Sequence, residues 1–303
     1  MRRHLAALTA VILPVSACGG SLGSAHPALT KSQAEQVLAN YQSINNRANG
    51  DLDANLLATV ETGAQLEMDR AGYRLRQAKK DKYTPFTYTR PAYYIPRQDG
   101  FPKWFAVDAT SGDTRHALLF VQDHAGGPWL LAADPFPSAP LSGVALDKDG
   151  YATAVNPADT GAAVEPRKVA SAHAATLSSG ATGMAPGPFT SESRDALAKV
   201  ESELRKRGVT LTSAFAPDQQ RSFALRTNGG GALVWYVVRQ SERYDMVDPG
   251  TVSADGDLAG LVTGRVGHHL SSVALIQYLA VVPDHGDTQV IGTYRKAVQA
   301  TTS

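Results

Sequence analysis

The chain has 303 residues, 29 Lys and Arg against 28 Asp and Glu, and a formal net charge of +1. That balance leaves no broad basic surface, so nothing points to a nucleic-acid partner, and the single cysteine excludes an internal disulfide. The length suits two modest domains or one large one.

The chain starts Met1-Arg2-Arg3-His4, followed by an uncharged run from Leu5 to Val15 that is too short to span a bilayer. Val15-Ser16-Ala17-Cys18 follows, with small side chains directly before the only cysteine. This stretch resembles the lipobox of bacterial lipoproteins. The resemblance implies a signal peptide over residues 1–17, cleavage after Ala17 and thioether acylation of Cys18. The partner would then be the lipid bilayer, held through the acylated Cys18 on the extracytoplasmic face of the cell membrane. An ordinary secretory leader with a chance cysteine is the alternative. Residues 18–28, rich in Gly and Ser, read as a flexible tether.

Thr30 and Gln33 have capping-box spacing, and Ala34, Val37, Leu38, Tyr41 and Ile44 recur at helical intervals. Asn49-Gly50 is expected to end this helix. Asp51 or Asp53 caps a second helix through Leu57, Val60 and Ala64, and a third runs from about Leu66 to Lys80. Its Arg70, Arg74, Arg76, Lys79 and Lys80 read as a solvated basic face, with contact to anionic headgroups as the sharper alternative. Four strands follow: Phe86 to Ile95, Trp104 to Ala109, Ala117 to Val121 and Trp129 to Ala133. Pro91 and Pro96 make the first an edge strand or a bulged one.

Residues 135–188 are looser. A small hairpin around Asp147-Lys148-Asp149-Gly150 and a weak helix over 166–177 precede a flexible connector at about 178–188. A stronger helix spans 191–207, with Ala196, Leu197, Val200 and Leu204 as its apolar stripe. Strands return at 209–215, 221–226, 232–240, 273–282 and 288–298.

Each half therefore reads as helices followed by strands. Leu119 to His124 resembles Leu279 to His285, and Trp104 to Val107 resembles Trp235 to Val238. The expected fold class is α+β, with two possibly related modules at 29–160 and 161–303. Each would pack helices on a curved antiparallel sheet. The helices-then-strands order and the Gly126 to Leu131 strand start resemble the nuclear-transport-factor-2-like fold, which implies a cavity between sheet and helices. The Cys18 motif and the Asp147 to Tyr151 stretch look like the poorly characterised exported lipoproteins of actinobacteria.

No catalytic, cofactor or metal motif stands out. His268 and His269 are neighbours that a straight strand points to opposite faces, so both read as rim residues. Asp147 to Gly150 lacks the outer ligands of a calcium loop and reads as a turn. The aromatic set Tyr88, Tyr93, Tyr94, Phe101, Trp104 and Phe105 is expected to be core, with some members lining a ligand cavity. Tyr93, Trp104 and Trp235 are the ligand-binding candidates. The leading expectation is a non-catalytic binder of a small molecule or envelope protein. The alternatives are a cell-envelope enzyme with a cavity active site and an accessory subunit of a membrane complex. A pocket holding a buried, strongly shifted Asp, Glu or His would favour the enzyme.

Overall fold

The structure is a computed structural model that describes residues 25–141, 143–219, 221–251, 256–262 and 264–303. The signal-peptide expectation and Cys18 lie outside the described residues. Among the described residues no helix is long and apolar enough to cross a membrane.

Helix α1 (Lys31–Asp51) opens on the expected capping box. Thr30 N–H donates to Gln33 Oε1 at 2.8 Å, and Gln33 N–H donates to Thr30 Oγ1 at 3.2 Å. It continues through Gly50 and ends on Leu52, which takes the left-handed conformation (φ 53°) in place of the expected glycine. Leu52 packs with Leu57 and Tyr73, and that burial offsets the backbone cost. Asp53 then caps α2 (Ala54–Leu57) through Asn55 and Leu56 N–H, both at 2.9 Å. Helix α3 (Gly63–Lys79) follows.

The basic face of α3 is not simply solvated. Arg74 donates to Val298 O at 2.9 Å, and Arg76 donates to Asn49 and stacks over Tyr73 and Tyr83. These cations tie the helix to β14 (Gln289–Thr302) and to the end of α1.

A first antiparallel sheet is built from β1 (Thr89–Tyr94), β3 (Lys103–Ser111), β4 (Thr114–Gln122) and β5 (Leu130–Ala133), in that spatial order. β1 is an edge strand with a bulge between Thr89 and Ala92, where Arg90 has φ 53°. Short β2 (Pro96–Arg97) pairs in parallel with β7 (Ala152–Thr153). β6 (Phe136–Pro137) leaves the first sheet and joins the edge of the second.

The loose region is packed. Arg97 bridges Asp147 and Asp149, and the Asp147 carboxylate accepts from the Asp149 and Tyr151 N–H groups, so the acidic hairpin is a closed turn. Helix α4 (Val169–Ser179) is buried on the second sheet. The expected flexible connector is stitched down: Ala185 N–H donates to Thr288 O, Thr288 N–H donates to Gly183 O, and Met184 is buried. The end of the expected tether is also engaged, since Ala28 N–H donates to Pro96 O and Gln98 N–H donates to His26 O. Helix α5 (Ser191–Lys206) lies peripherally against α4 and β8 (Val209–Pro217), with Leu197 and Leu204 half-buried and Val200 exposed.

The second sheet has the order β6, β14 (Gln289–Thr302), β13 (His269–Val282), β10 (Ala232–Met246), β8 (Val209–Pro217). β9 (Phe223–Arg226) lies beside the start of β10, while β11 (Gly250–Thr251) and β12 (Arg265–Val266) form a small separate ribbon. Gly231, at the entry to β10, has no alternative: an added Cβ would stand 2.1 Å from Val282 O.

The layers follow from strand periodicity. Phe105, Val107, Ala109, Leu118 and Phe120 face α1, where they meet Ala34, Leu38 and Tyr41. The alternate residues Trp104, Ala106, Leu119 and Val121 face Leu225, Leu233, Trp235 and Leu279 of the second sheet. Val234, Tyr236, Val238, Tyr278 and Ala280 point the other way, under α4. The protein is thus an α+β sandwich ordered α1, first sheet, second sheet, α4. Both halves contribute to the central apolar layer. The sheets share a strand order, β1-β3-β4-β5 beside β8-β10-β13-β14, but not a register. Trp104 pairs with Val121, two residues before Asp123, whereas Trp235 pairs with Leu279, five residues before Asp284.

Trp235 clasps the sheets by donating Nε1–H to Ala117 O at 2.9 Å, with its side chain fully buried. Trp235→Phe leaves that carbonyl without its donor and opens a cavity, so urea unfolding should show a loss of about 2–4 kcal/mol.

His173 is the core's titratable group. Its Nε2 donates to Phe189 O at 2.8 Å and its Nδ1 accepts from Tyr236 Oη at 2.9 Å, and burial lowers its pKa to about 4. The unfolded chain therefore takes up a proton that the folded site refuses. Stability from this group is present above the unfolded value of 6.5 and is lost as pH falls toward about 4. Raised carboxyl pKa values elsewhere act oppositely, so the difference curve is the readout. A His173→Gln chain should lack a component approaching about 1.4 kcal/mol per pH unit in that window, measured by unfolding across pH.

Candidate functional site

A polar pocket opens where α1, α3, the first sheet and β14 meet. Its volume is about 340 Å³, and its lining includes Tyr41, Gln65, Asp69, Tyr88, His116, Asp134, Phe136 and Tyr294. The wall carries no Lys or Arg among the described residues.

Glu61 forms the floor behind this wall. The segment Val60 to Thr62 lies along β5, with Leu131 N–H donating to Val60 O and Thr62 N–H donating to Leu131 O. That pairing drives the Glu61 side chain inward, where it is 1% exposed. Its Oε1 accepts from Asn45 Nδ2 at 2.7 Å and from Tyr41 Oη at 3.1 Å. Its Oε2 meets no N–H or O–H donor. The group within hydrogen-bonding reach is the Asp69 carboxyl, itself an acceptor. The two bond only by sharing a proton. Burial, then the neighbouring Asp69, hold the Glu61 carboxyl well above the usual carboxylate range, and burial also raises Asp69. Glu61 is therefore the protonated member.

A line of amides fixes the opposite wall. Asp134 N–H donates to Gln277 Oε1 at 2.7 Å, Gln277 Nε2 to Gln65 Oε1 at 3.0 Å, and Gln65 Nε2 to Asp69 Oδ2 at 3.1 Å. Gln277 on β13 is fully buried. The Asp134 side chain faces His116, whose Nδ1 lies 2.7 Å from Oδ2. Burial raises Asp134. Burial opposes a charged His116, but the Asp134 charge and hydrogen bond outweigh it, and the imidazole pKa is raised. Asp134 is 6% exposed, and its Oδ1 has no donor among the described residues.

Aromatic rings line the rest. Tyr88 meets His116 edge-on at 5.2 Å, His116 meets Phe136 at 4.9 Å, and Phe136 lies 4.8 Å from Tyr294. Burial pushes the Tyr41, Tyr88 and Tyr294 phenols up, so they remain neutral.

Residues 25–302 match the domain of unknown function DUF8094. The chain belongs to that family. It is 31% identical to an uncharacterized lipoprotein of Streptomyces avermitilis, over 85% of this chain and 81% of the relative. Two uncharacterized lipoproteins of Streptomyces coelicolor are 26% and 30% identical. They cover 88% and 75% of this chain and 84% and 73% of their own lengths. No solved structure matches. The family thus includes lipoproteins of actinobacteria, as the sequence features suggested.

Within this family member the three ligand candidates do not converge. Trp235 is sealed between the sheets. Trp104, 6.5 Å from it, lines a separate cleft of about 380 Å³ with Phe223, Arg167 and Arg221. Tyr93 lies on the opposite face of the first sheet, packed toward α1. Of the aromatic set, Tyr88 reaches the acidic pocket. His268 and His269 sit at the rim, bonded to Met246 O and Asp245. Sequence reading missed Glu61, Asp69, His116, Asp134 and Gln277. One signal was present: Gln277 interrupts the otherwise apolar run Val273 to Val282.

Asp134→Asn removes the charge that holds His116 up and leaves only burial. The His116 imidazole, followed by NMR against pH, should titrate above 6.5 in the native chain and below it in the variant.

Proposed function

We propose that this chain is a membrane-anchored envelope lipoprotein that binds a small molecule in the pocket between α1, α3 and the first sheet. The anchor is acylated Cys18 on the extracytoplasmic face of the cell membrane, supported by the lipobox-like sequence and the lipoprotein relatives. One observation carries the binding reading: Asp134 lines an accessible, aromatic-walled pocket while its Oδ1 lacks a donor. An unpaired buried acceptor is costly, and a bound group satisfies it.

The Asp134–His116 pair supports a second reading, general acid–base catalysis on the bound molecule. The buried, shifted carboxyls favour it too. Against it, His116 makes no hydrogen bond to a hydroxyl or thiol among the described residues.

The test is native purification from detergent-solubilised actinobacterial membranes with mass spectrometry. The mature N-terminal peptide should begin at Cys18 and carry acyl mass. A small molecule should co-purify and be lost from a Tyr88→Ala, Phe136→Ala chain. An unmodified Cys18 contradicts the anchor, and no bound mass contradicts the binder. Conversion of the released molecule by the native chain, but not by His116→Gln, selects the enzyme.

A further inference from the structure

We infer that the pocket recognises a protonated primary or secondary amine carrying a small apolar group. This rests on the pocket being a ligand site and names the ligand's chemistry.

Three features converge on that class. The first is charge. Asp69 and Asp134 line the pocket, yet among the described residues the one cationic group of the lining is His116, with Lys296 of β14 acting on Asp69 from outside it. An anionic ligand meets like charge on two walls.

The second is hydrogen-bond polarity. The orphaned oxygen of the lining, Asp134 Oδ1, is an acceptor on a residue more than nine-tenths buried. It needs a donor, which an N–H cation supplies and a quaternary ammonium does not. Charge-assisted N–H to carboxylate bonds are the stronger kind.

The third is the aromatic wall. Tyr88, Phe136 and Tyr294 present rings beside the carboxyls, and ring faces attract cations while accepting apolar carbon. A cavity near 340 Å³ limits the ligand to a small molecule.

The experiment titrates the full-length, detergent-solubilised lipoprotein near neutral pH with benzylamine, benzyl alcohol and benzyltrimethylammonium by calorimetry. Benzylamine should bind at least roughly tenfold more tightly than either other probe, the scale of one charge-assisted contact. Asp134→Asn should weaken benzylamine roughly tenfold and leave benzyl alcohol unchanged. Equal binding of the alcohol, binding of the quaternary ion as tight as the amine, no binding of any probe, or an unaffected Asp134→Asn chain each overturns the inference. Should that variant fail to fold, nuclear Overhauser contacts from benzylamine to the Tyr88 and Phe136 rings of the native chain decide the matter, and their absence overturns it. A co-purifying molecule that is neutral or anionic and depends on Tyr88 and Phe136 keeps the binding site and defeats only the amine. Benzylamine selectivity with nothing co-purifying keeps the amine chemistry and defeats the resident-ligand reading.

Discussion

The buried Glu61 carboxyl is the constraint around which the pocket half is arranged. A glutamate at 1% exposure is tolerated only if its oxygens are answered. Tyr41 and Asn45 of α1 answer one oxygen, and Asp69 of α3 shares the proton on the other. Asn45 is in turn bonded to Asn49, which receives Arg76 from α3. One carboxyl thereby fixes the distance between two helices and the strand beside them. The same network continues through Gln65 and Gln277 into the second sheet. The polar contacts set geometry, and the apolar layers on either side supply most of the stabilisation.

That division explains where the pocket lies. Strands β3 and β4 are buried on both faces, so their middles admit only apolar side chains. Polar residues are displaced to strand ends. His116 stands near the start of β4, and Asp134 directly follows β5. Asp108, inside β3, is an exception: at 3% exposure its carboxylate is answered by Arg115 and by Leu141 N–H. The pocket forms at the sandwich's end, where helix, sheet and β14 no longer meet closely enough to exclude polar groups.

Much of the scaffold was legible in the sequence because local chemistry is short-ranged. The Thr30–Gln33 box set the start of α1, and runs rich in apolar, aromatic and branched residues placed β3, β4, β10 and β13. The end of α1 was misread because Gly50 is a good local stop, whereas the packing of Leu52 is a tertiary effect. The connector near Met184 was misread for the same reason: its composition is loose, but its partner, Thr288, is a hundred residues away. The candidate site was the least legible part. Glu61, Asp69, His116, Asp134 and Tyr294 come from different elements and carry no shared spacing. Tyr93, Trp104 and Trp235 were attractive as aromatics; the structure packs them in two different apolar clusters rather than at one point.

The apolar layer between the sheets has a consequence for the chain as a polymer. Each sheet turns to the other a surface with the character of a domain interior, and Trp235 crosses that boundary to reach Ala117. Neither half is finished by its own residues. Synthesis to the midpoint yields a sheet with one apolar face uncovered until the remaining strands arrive to close it. Whatever the ancestry of the two halves, the present chain becomes water-compatible only as a whole.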